Sequence, residues 1–177
     1  DTRTGLEKLI EKYPENNWYW KALSKNPSIT PNFVKKYINL PWRWGECGLS
    51  CNPAIVPKFV ESEEFNGLHI DRPWHWGYGG FSSIPYIDSE FVERHLDKDW
   101  HWGYEGLSLN VYIAPGFLER HLDKPWEWGN SGGLSRNPTI SLKFIEEHID
   151  FPWTWGEHGL SLNPVITPEF VERHPDK

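Results

Sequence analysis

The chain has 177 residues, and its 18 Lys and Arg against 25 Asp and Glu give a formal charge of −7. Its bases lie singly among acids, which excludes a phosphate-binding groove built from clustered Lys and Arg, so no nucleic-acid partner is expected. No stretch approaches the roughly 18 consecutive apolar residues of a membrane span, so no membrane insertion is expected either. Hydrophobic residues make up only 38% of the chain, and 12 Trp offset that shortage, because large rings bury much apolar area at low entropic cost.

In chain order, Leu9-Ile10-Glu11-Lys12-Tyr13 reads as the tail of a partial repeat. The tryptophans follow in six pairs, Trp18/Trp20, Trp42/Trp44, Trp74/Trp76, Trp100/Trp102, Trp126/Trp128 and Trp153/Trp155, spaced 24, 32, 26, 26 and 27 residues apart. Behind each pair stand an apolar residue and Ser, then Asn-Pro or a variant, an Ile, and a Phe: Phe33, Phe59, Phe91, Phe117, Phe144 and Phe170. From Phe to the next pair is 9 residues, except from Phe59 to Trp74, which is 15. The difference is a polar insertion at 62–67, read as a surface bulge that the array tolerates. The unit is W-x-W-G-x-x-G-L-S-x-N-P-x-I-T-P-x-F-V-E-R-H-x-D-K-P, and a fixed period of this size signals a repeat architecture. Residues 1–177 form one array, and the absence of an evident cap at either end suggests part of a longer one.

The segment Thr167-Pro168-Glu169-Phe170-Val171-Glu172-Arg173-His174 has the grammar of a short helix, with a Thr cap, Pro at the first turn and Glu near the positive end of the dipole. Glu90/Arg94 and Glu169/Arg173 are spaced as i,i+4 pairs. The Trp segment is expected to open a second short helix that the two glycines break. Together these predict an all-α solenoid of short helical hairpins of about 26 residues. The alternative is a leucine-rich-repeat-like α/β horseshoe, in which Leu-Ser-x-Asn-x-x-Ile forms a strand with an Asn ladder.

The string P-W-x-W-x-x-L-S-x-N-P-x-I-T, present from Pro41-Trp42-Arg43-Trp44 to Ile55 and from Pro152-Trp153 to Thr167, resembles the tryptophan-rich tandem repeats of giant DNA viruses of amoebae. The resemblance spans nearly the whole chain and implies a viral or host-interaction scaffold, with no catalytic or ligand residue to carry over. The W-G-x-x-G-L-S form departs from the tighter W-x-W-x-x-L-S form of those repeats.

Catalysis needs a unique constellation, whereas nearly every acid, Ser and His here belongs to a series, so no enzyme, cofactor or metal site is expected. His95, His121, His148 and His174 each follow a Phe by four residues and are read as ring packing rather than as a metal ladder. The repeated Ser is read as bonding its own or the next turn, and the Glu93, Glu119, Glu146 and Glu172 series as a solvated helix face. Cys47 and Cys51 are read as reduced thiols. The start, Asp1-Thr2-Arg3-Thr4, carries no apolar signal segment, and an intracellular protein is expected, in host cytoplasm or virion if viral.

The favoured function is a scaffold for a protein partner or for self-assembly, ahead of a glycan- or peptide-binding module that uses exposed aromatic residues. Positions that differ among copies escape the packing constraint and mark the candidate surface. They are Arg43, His75, His101 and Glu127 inside the Trp pairs, and Tyr78, Tyr104, Glu157 and His158 in the loops after them. Tyr and Arg are enriched in binding hot spots.

Overall fold

In the computed structural model, residues 2–55, 57–61, 72–129 and 133–177 are described. The insertion at 62–67, with His69 which shares the register of His95, and Asn130-Ser131, which vary among copies like Tyr104-Glu105, lie outside them. The chain divides into two compact units, Asp1–Ile84 and Pro85–Lys177. Among the described residues there are α-helices and 3₁₀ turns and no strand, so the fold is all-α and the strand of the horseshoe alternative does not form. The α-helices are α1 (Gly5–Lys12), α2 (Trp20–Ser24), α3 (Pro31–Lys36), α4 (Pro57–Glu61), α5 (Ser89–Arg94), α6 (Pro115–Arg120), α7 (Gly133–Arg136), α8 (Leu142–Glu147) and α9 (Pro168–Arg173).

Each Phe lies on one of these short helices, and the capping grammar is met in four of them. The Thr30, Asp88, Ser141 and Thr167 side chains accept the N–H of Phe33, Phe91, Phe144 and Phe170, three residues on. In α6 the cap is Ala114, which has no side-chain acceptor. Helices of five or six residues are marginal alone, so packing must hold them. The buried set is the apolar residue before Ser, the Ile, the Phe and its neighbour: in one copy Leu107, Ile113, Phe117 and Leu118 are at most 4% exposed.

The Trp segments depart from the expected helix. Only the first copy, which lacks the glycines, is helical there, as α2. In the others the segment is extended and leads into a turn, 3₁₀ at Leu49–Cys51, Phe81–Ser83, Leu107–Leu109 and Leu160–Leu162. The reason lies in the backbone partners. The N–H of Trp42 or Trp126 bonds the carbonyl two residues back, around the intervening Pro. The carbonyl between the paired Trp then accepts from the Leu six residues on, as in Leu49 N–H to Arg43 and Leu107 N–H to His101, so no i+4 helical bond forms. This crossing also fixes the second glycine. A Cβ on Gly48, Gly106 or Gly159 would lie 2.0, 2.2 or 1.8 Å from that same carbonyl oxygen.

Candidate functional site

The copies within each unit are joined by one junction, repeated. The second Trp of a copy meets the first Trp of the next edge-to-face. The centroid separations are 5.1 Å for Trp20–Trp42, 5.1 Å for Trp44–Trp74, 5.0 Å for Trp102–Trp126 and 5.1 Å for Trp128–Trp153. Edge-to-face placement sets the positive ring edge on the negative ring face. The same first Trp lies 6.2 to 6.5 Å from the Phe of the preceding helix in Phe33–Trp42, Phe59–Trp74 and Phe117–Trp126. Its indole N–H donates to the carbonyl five residues back: Trp42 to Tyr37, Trp100 to His95, Trp126 to His121 and Trp153 to His148, at 2.8 to 2.9 Å. The His or Tyr in this slot thus contributes its carbonyl to the Trp and its ring to the Phe, with centroids 4.8 Å apart in Phe91–His95 and 4.4 Å in Phe117–His121.

Polar bonds run through the same junction. The Ser24, Ser50, Ser108 and Ser135 hydroxyls accept the backbone N–H of the residue between the next Trp pair, Arg43, His75, Glu127 and Thr154, at 2.9 to 3.1 Å. Each donates its own proton to a Trp carbonyl of its own copy, as Ser50 does to Trp44 at 2.6 Å. The Ser is therefore a two-sided relay between copies. The Asn side chain reaches backward: Asn52 Nδ2 donates to the carbonyls of Ser24 and Asn26, Asn137 to those of Ser108 and Asn110, and Asn163 to those of Ser135 and Asn137. An Asn ladder exists without the strand that the horseshoe alternative attached to it. In the copy that begins at Trp74 its place is taken by Ile84, 3% exposed.

The variable positions divide into two kinds. Arg43, His75, His101 and Glu127 fold onto the loops behind them. Arg43 Nε donates to the Glu46 carbonyl at 2.7 Å, and the Gly129 N–H donates to Glu127 Oε1 at 3.2 Å. His75 Nε2 lies 2.7 Å from the Tyr78 carbonyl, and His101 Nε2 lies 2.7 Å from that of Tyr104. A carbonyl only accepts, so Nε2 carries the proton in both. These side chains shape the loops and set the outward residues. Tyr78 and Tyr104 are 56% and 45% exposed, and Glu157 and His158 are exposed. In the first unit the loops of adjacent copies meet, with the Cys47 N–H on the Gly79 carbonyl at 2.9 Å. Cys47 and Glu105 hold left-handed backbone, φ 51° and 56°, at equivalent loop positions. Both cysteines are free thiols, and burial first, then the neighbouring Cys47, pushes the Cys51 thiol up.

The acids of the helix face, Glu93, Glu119, Glu146 and Glu172, are exposed, and two of them also pair between copies. Glu93 accepts from Arg120 at 2.9 Å and lies 3.2 Å from His121, and both hold its carboxyl below the ordinary range, Arg120 foremost. Glu146 pairs with Arg173 one copy on. In the first unit Glu11 takes Lys36 at 2.8 Å, Tyr37 at 2.6 Å and Arg3. Among the described residues no three His, Cys, Asp or Glu cluster as metal ligands, and no helix is long and apolar enough to cross a membrane.

Two features escaped the sequence reading. Tyr86 and Tyr112 are both exposed, with ring centroids 6.1 Å apart. The residue before Pro-Trp covers the second Trp of the preceding copy: Arg72 lies 5.0 Å over Trp44, Lys124 lies 5.9 Å over Trp102, and Phe151 meets Trp128 edge-on at 4.8 Å. Its fixed place in the register was the available signal. No protein-family model matches the chain, and neither a curated protein nor a solved structure matches it significantly.

Proposed function

We propose that the chain is an α-solenoid repeat scaffold that binds a protein partner, or assembles, through its loop edge. The observation that carries this is the uniform engagement of its reactive-looking side chains. The Ser hydroxyls, the Asn amides and the Trp indoles each make a bond that recurs from copy to copy, and the register His rings pack on Phe. A repeated bond is structural; a nucleophile or base would be singular. What differs among copies and faces outward is Tyr78, Tyr104, Glu157 and His158, the first two on loops that His75 and His101 shape from behind. Mixed chemistry with Tyr anchors suits recognition of a protein surface. The resemblance to giant-virus repeats supports an infected cell or a virion as the setting of that partner.

Small-angle scattering tests the solenoid, which requires an elongated particle. Capture from infected-cell lysate with the parent and with Tyr78→Ala/Tyr104→Ala tests the edge. A partner retained by the parent and lost by the double variant supports it. A partner held equally by both, and lost on changing Glu93 and Glu119, moves the surface to the helix face.

The Tyr86–Tyr112 pair favours a second reading, a glycan- or peptide-binding module. It requires saturable quenching of the tyrosine signal by a glycan, abolished in Tyr86→Ala.

A further inference from the structure

One junction of the first unit leaves open a cavity whose counterpart in the second unit holds a ring. The two frames agree closely. Trp20 meets Trp42 at 5.1 Å and 90°, and Trp128 meets Trp153 at 5.1 Å and 89°. Phe33 lies 6.2 Å from Trp42, and Phe144 lies 6.2 Å from Trp153. The turns behind them agree too: the Leu40 N–H bonds the Tyr37 carbonyl and the Phe151 N–H bonds the His148 carbonyl, both at 3.0 Å. Leu40 and Phe151 therefore hold one place in the register. Phe151 uses it to stack on His148, with centroids 4.8 Å apart and planes 25° apart, and to meet Trp128 edge-on at 4.8 Å. Leu40 brings no ring. Beside it a cavity of about 190 Å³ is lined by the rings of Trp20, Phe33 and Tyr37 and by Ile10, Pro14 and Leu40. Ile10 belongs to α1 and Phe33 to α3, so helices of two successive copies both contribute to the lining. Trp20, Tyr37 and Leu40 are half-buried and Pro14 is exposed, so the cavity is reached from solvent.

We propose that this cavity binds a small neutral molecule with a single aromatic ring. The ring takes the place that the Phe151 phenyl holds at the other junction, stacked on Tyr37 and edge-on to Trp20, which is the arrangement that ring quadrupoles favour. Its size follows from the space: an apolar cavity of about 150 Å³ holds benzene, so this one accepts a ring with one small substituent. Charge sets the rest. Arg72 and Lys124 cover Trp44 and Trp102 from the same register. Here the wall carries Glu11, whose carboxylate already accepts from Lys36 at 2.8 Å, from Tyr37 at 2.6 Å and from Arg3. With that charge matched by two cations, a third is opposed, and the remaining lining is apolar or aromatic. None of these residues belongs to the loop edge, so the site stands or falls apart from the scaffold reading.

The test titrates the full chain with toluene, with benzylammonium and with methylcyclohexane, followed by amide NMR and calorimetry. Saturable binding of toluene is expected, with shifts at Ile10, Tyr37 and Leu40, and at least about tenfold weaker binding of the other two. Leu40→Phe should fill the cavity with its own ring. It should abolish toluene binding and raise the melting temperature, as cavity-filling changes do. Pro14→Leu, which copies Leu122 of the later copy, fills the same space from the other side and gives the same test should Leu40→Phe fail to fold. Leu40→Ala widens the cavity and should keep toluene binding, so loss in the filling variants is not a general effect of changing its wall. No saturable binding of toluene would overturn the proposal. So would undiminished binding by a folded Leu40→Phe or Pro14→Leu chain, shifts confined to the second unit, or binding of benzylammonium or methylcyclohexane as tight as that of toluene.

Discussion

The Trp126 junction, built on Trp102, Ser108 and Phe117, and the face around Trp155, Ser161 and Phe170 carry the same residue types, and within residues 1–177 only the first has a Trp pair packed on it. At the first, Trp126 is 6% exposed and Ser108 is sealed; at the second, Trp155 is half-buried and Ser161 is exposed. The difference teaches where the stability resides. A copy by itself holds a helix of six residues and a turn, and the surface that keeps them folded is supplied by its neighbour. Trp126→Ala should therefore cost about 3–5 kcal/mol, the range for a buried large aromatic, because it opens a cavity between Trp102 and Phe117 and strands the Glu127 side of the junction. Trp155→Ala should cost only about 1–2 kcal/mol, in keeping with its partial burial. Denaturant melts of the two variants measure the gap, and equal costs would mean that stability belongs to the copy and not to the junction.

The Asn ladder sharpens the contrast at lower energy. Asn137→Ala leaves the buried carbonyls of Ser108 and Asn110 without their donor, which should cost about 1–3 kcal/mol. Asn26 holds its own turn, accepting the Ser28 N–H at 2.8 Å, so Asn26→Ala should cost about 0.5–1.5 kcal/mol, the net worth of one bond. A larger loss at Asn26 than at Asn137 would break the inference that the ladder acts between copies.

The helices and the buried spine were legible because local rules fix them. Thr-Pro before Phe specifies a capped start, and Phe with His four residues on specifies one face, as in α9 with Phe170 and His174. The Trp segment misled for a reason equally physical. Its backbone partners lie across a loop, in the Leu N–H six residues on, and propensity within a window does not see them. The Ser was legible as a hydrogen-bonding residue but not as a relay, since its second partner is 19 residues away in Arg43 or Glu127. Of the candidate surface, variation among copies found the outward Tyr78 and Tyr104. It also drew in Arg43, His75 and His101, which vary yet are engaged, because several side chains can close the same loop onto a carbonyl. The role of Glu7 in α1 was not legible either: it is fully buried and takes the Thr30 N–H at 2.7 Å and the Thr4 N–H at 2.8 Å. A Glu in that place looks like any other helical acid until its tertiary donor is known.

The helix caps offer a gain where the junctions offer losses. Of the caps named above, Ala114 alone brings no acceptor, while its backbone, φ −69° and ψ 143°, already has the extended form of its equivalents. Ala114→Asp should stabilise the second unit by about 1 kcal/mol, since Asp88 shows the bond that would form, to the N–H three residues on. A thermal melt reads this directly, and no gain would mean that the Phe117 N–H is held by the junction irrespective of its cap.

The smallest effect is the acid response of the charged face. Hydrogen bonds from Lys36 and Tyr37, with Arg3 beside them, hold Glu11 at a pKa of about 2, against an ordinary 4.5. The folded value lies below the unfolded one, so the folded state releases this proton more readily. The stabilisation is complete above about 4.5 and is lost as pH falls towards about 2. Glu93, held down by Arg120 and then His121, acts with the same sign in the second unit. Glu11→Gln should lower the melting temperature slightly at pH 6, where the parent carboxylate is ionised, and the difference should shrink to nothing near pH 2. Because the partner charges on Lys36 and Arg3 are exposed, salt should shrink the pH 6 difference as well. A difference that persists at pH 2 would assign the effect to packing of the Glu11 side chain against Tyr37 and remove charge from the account.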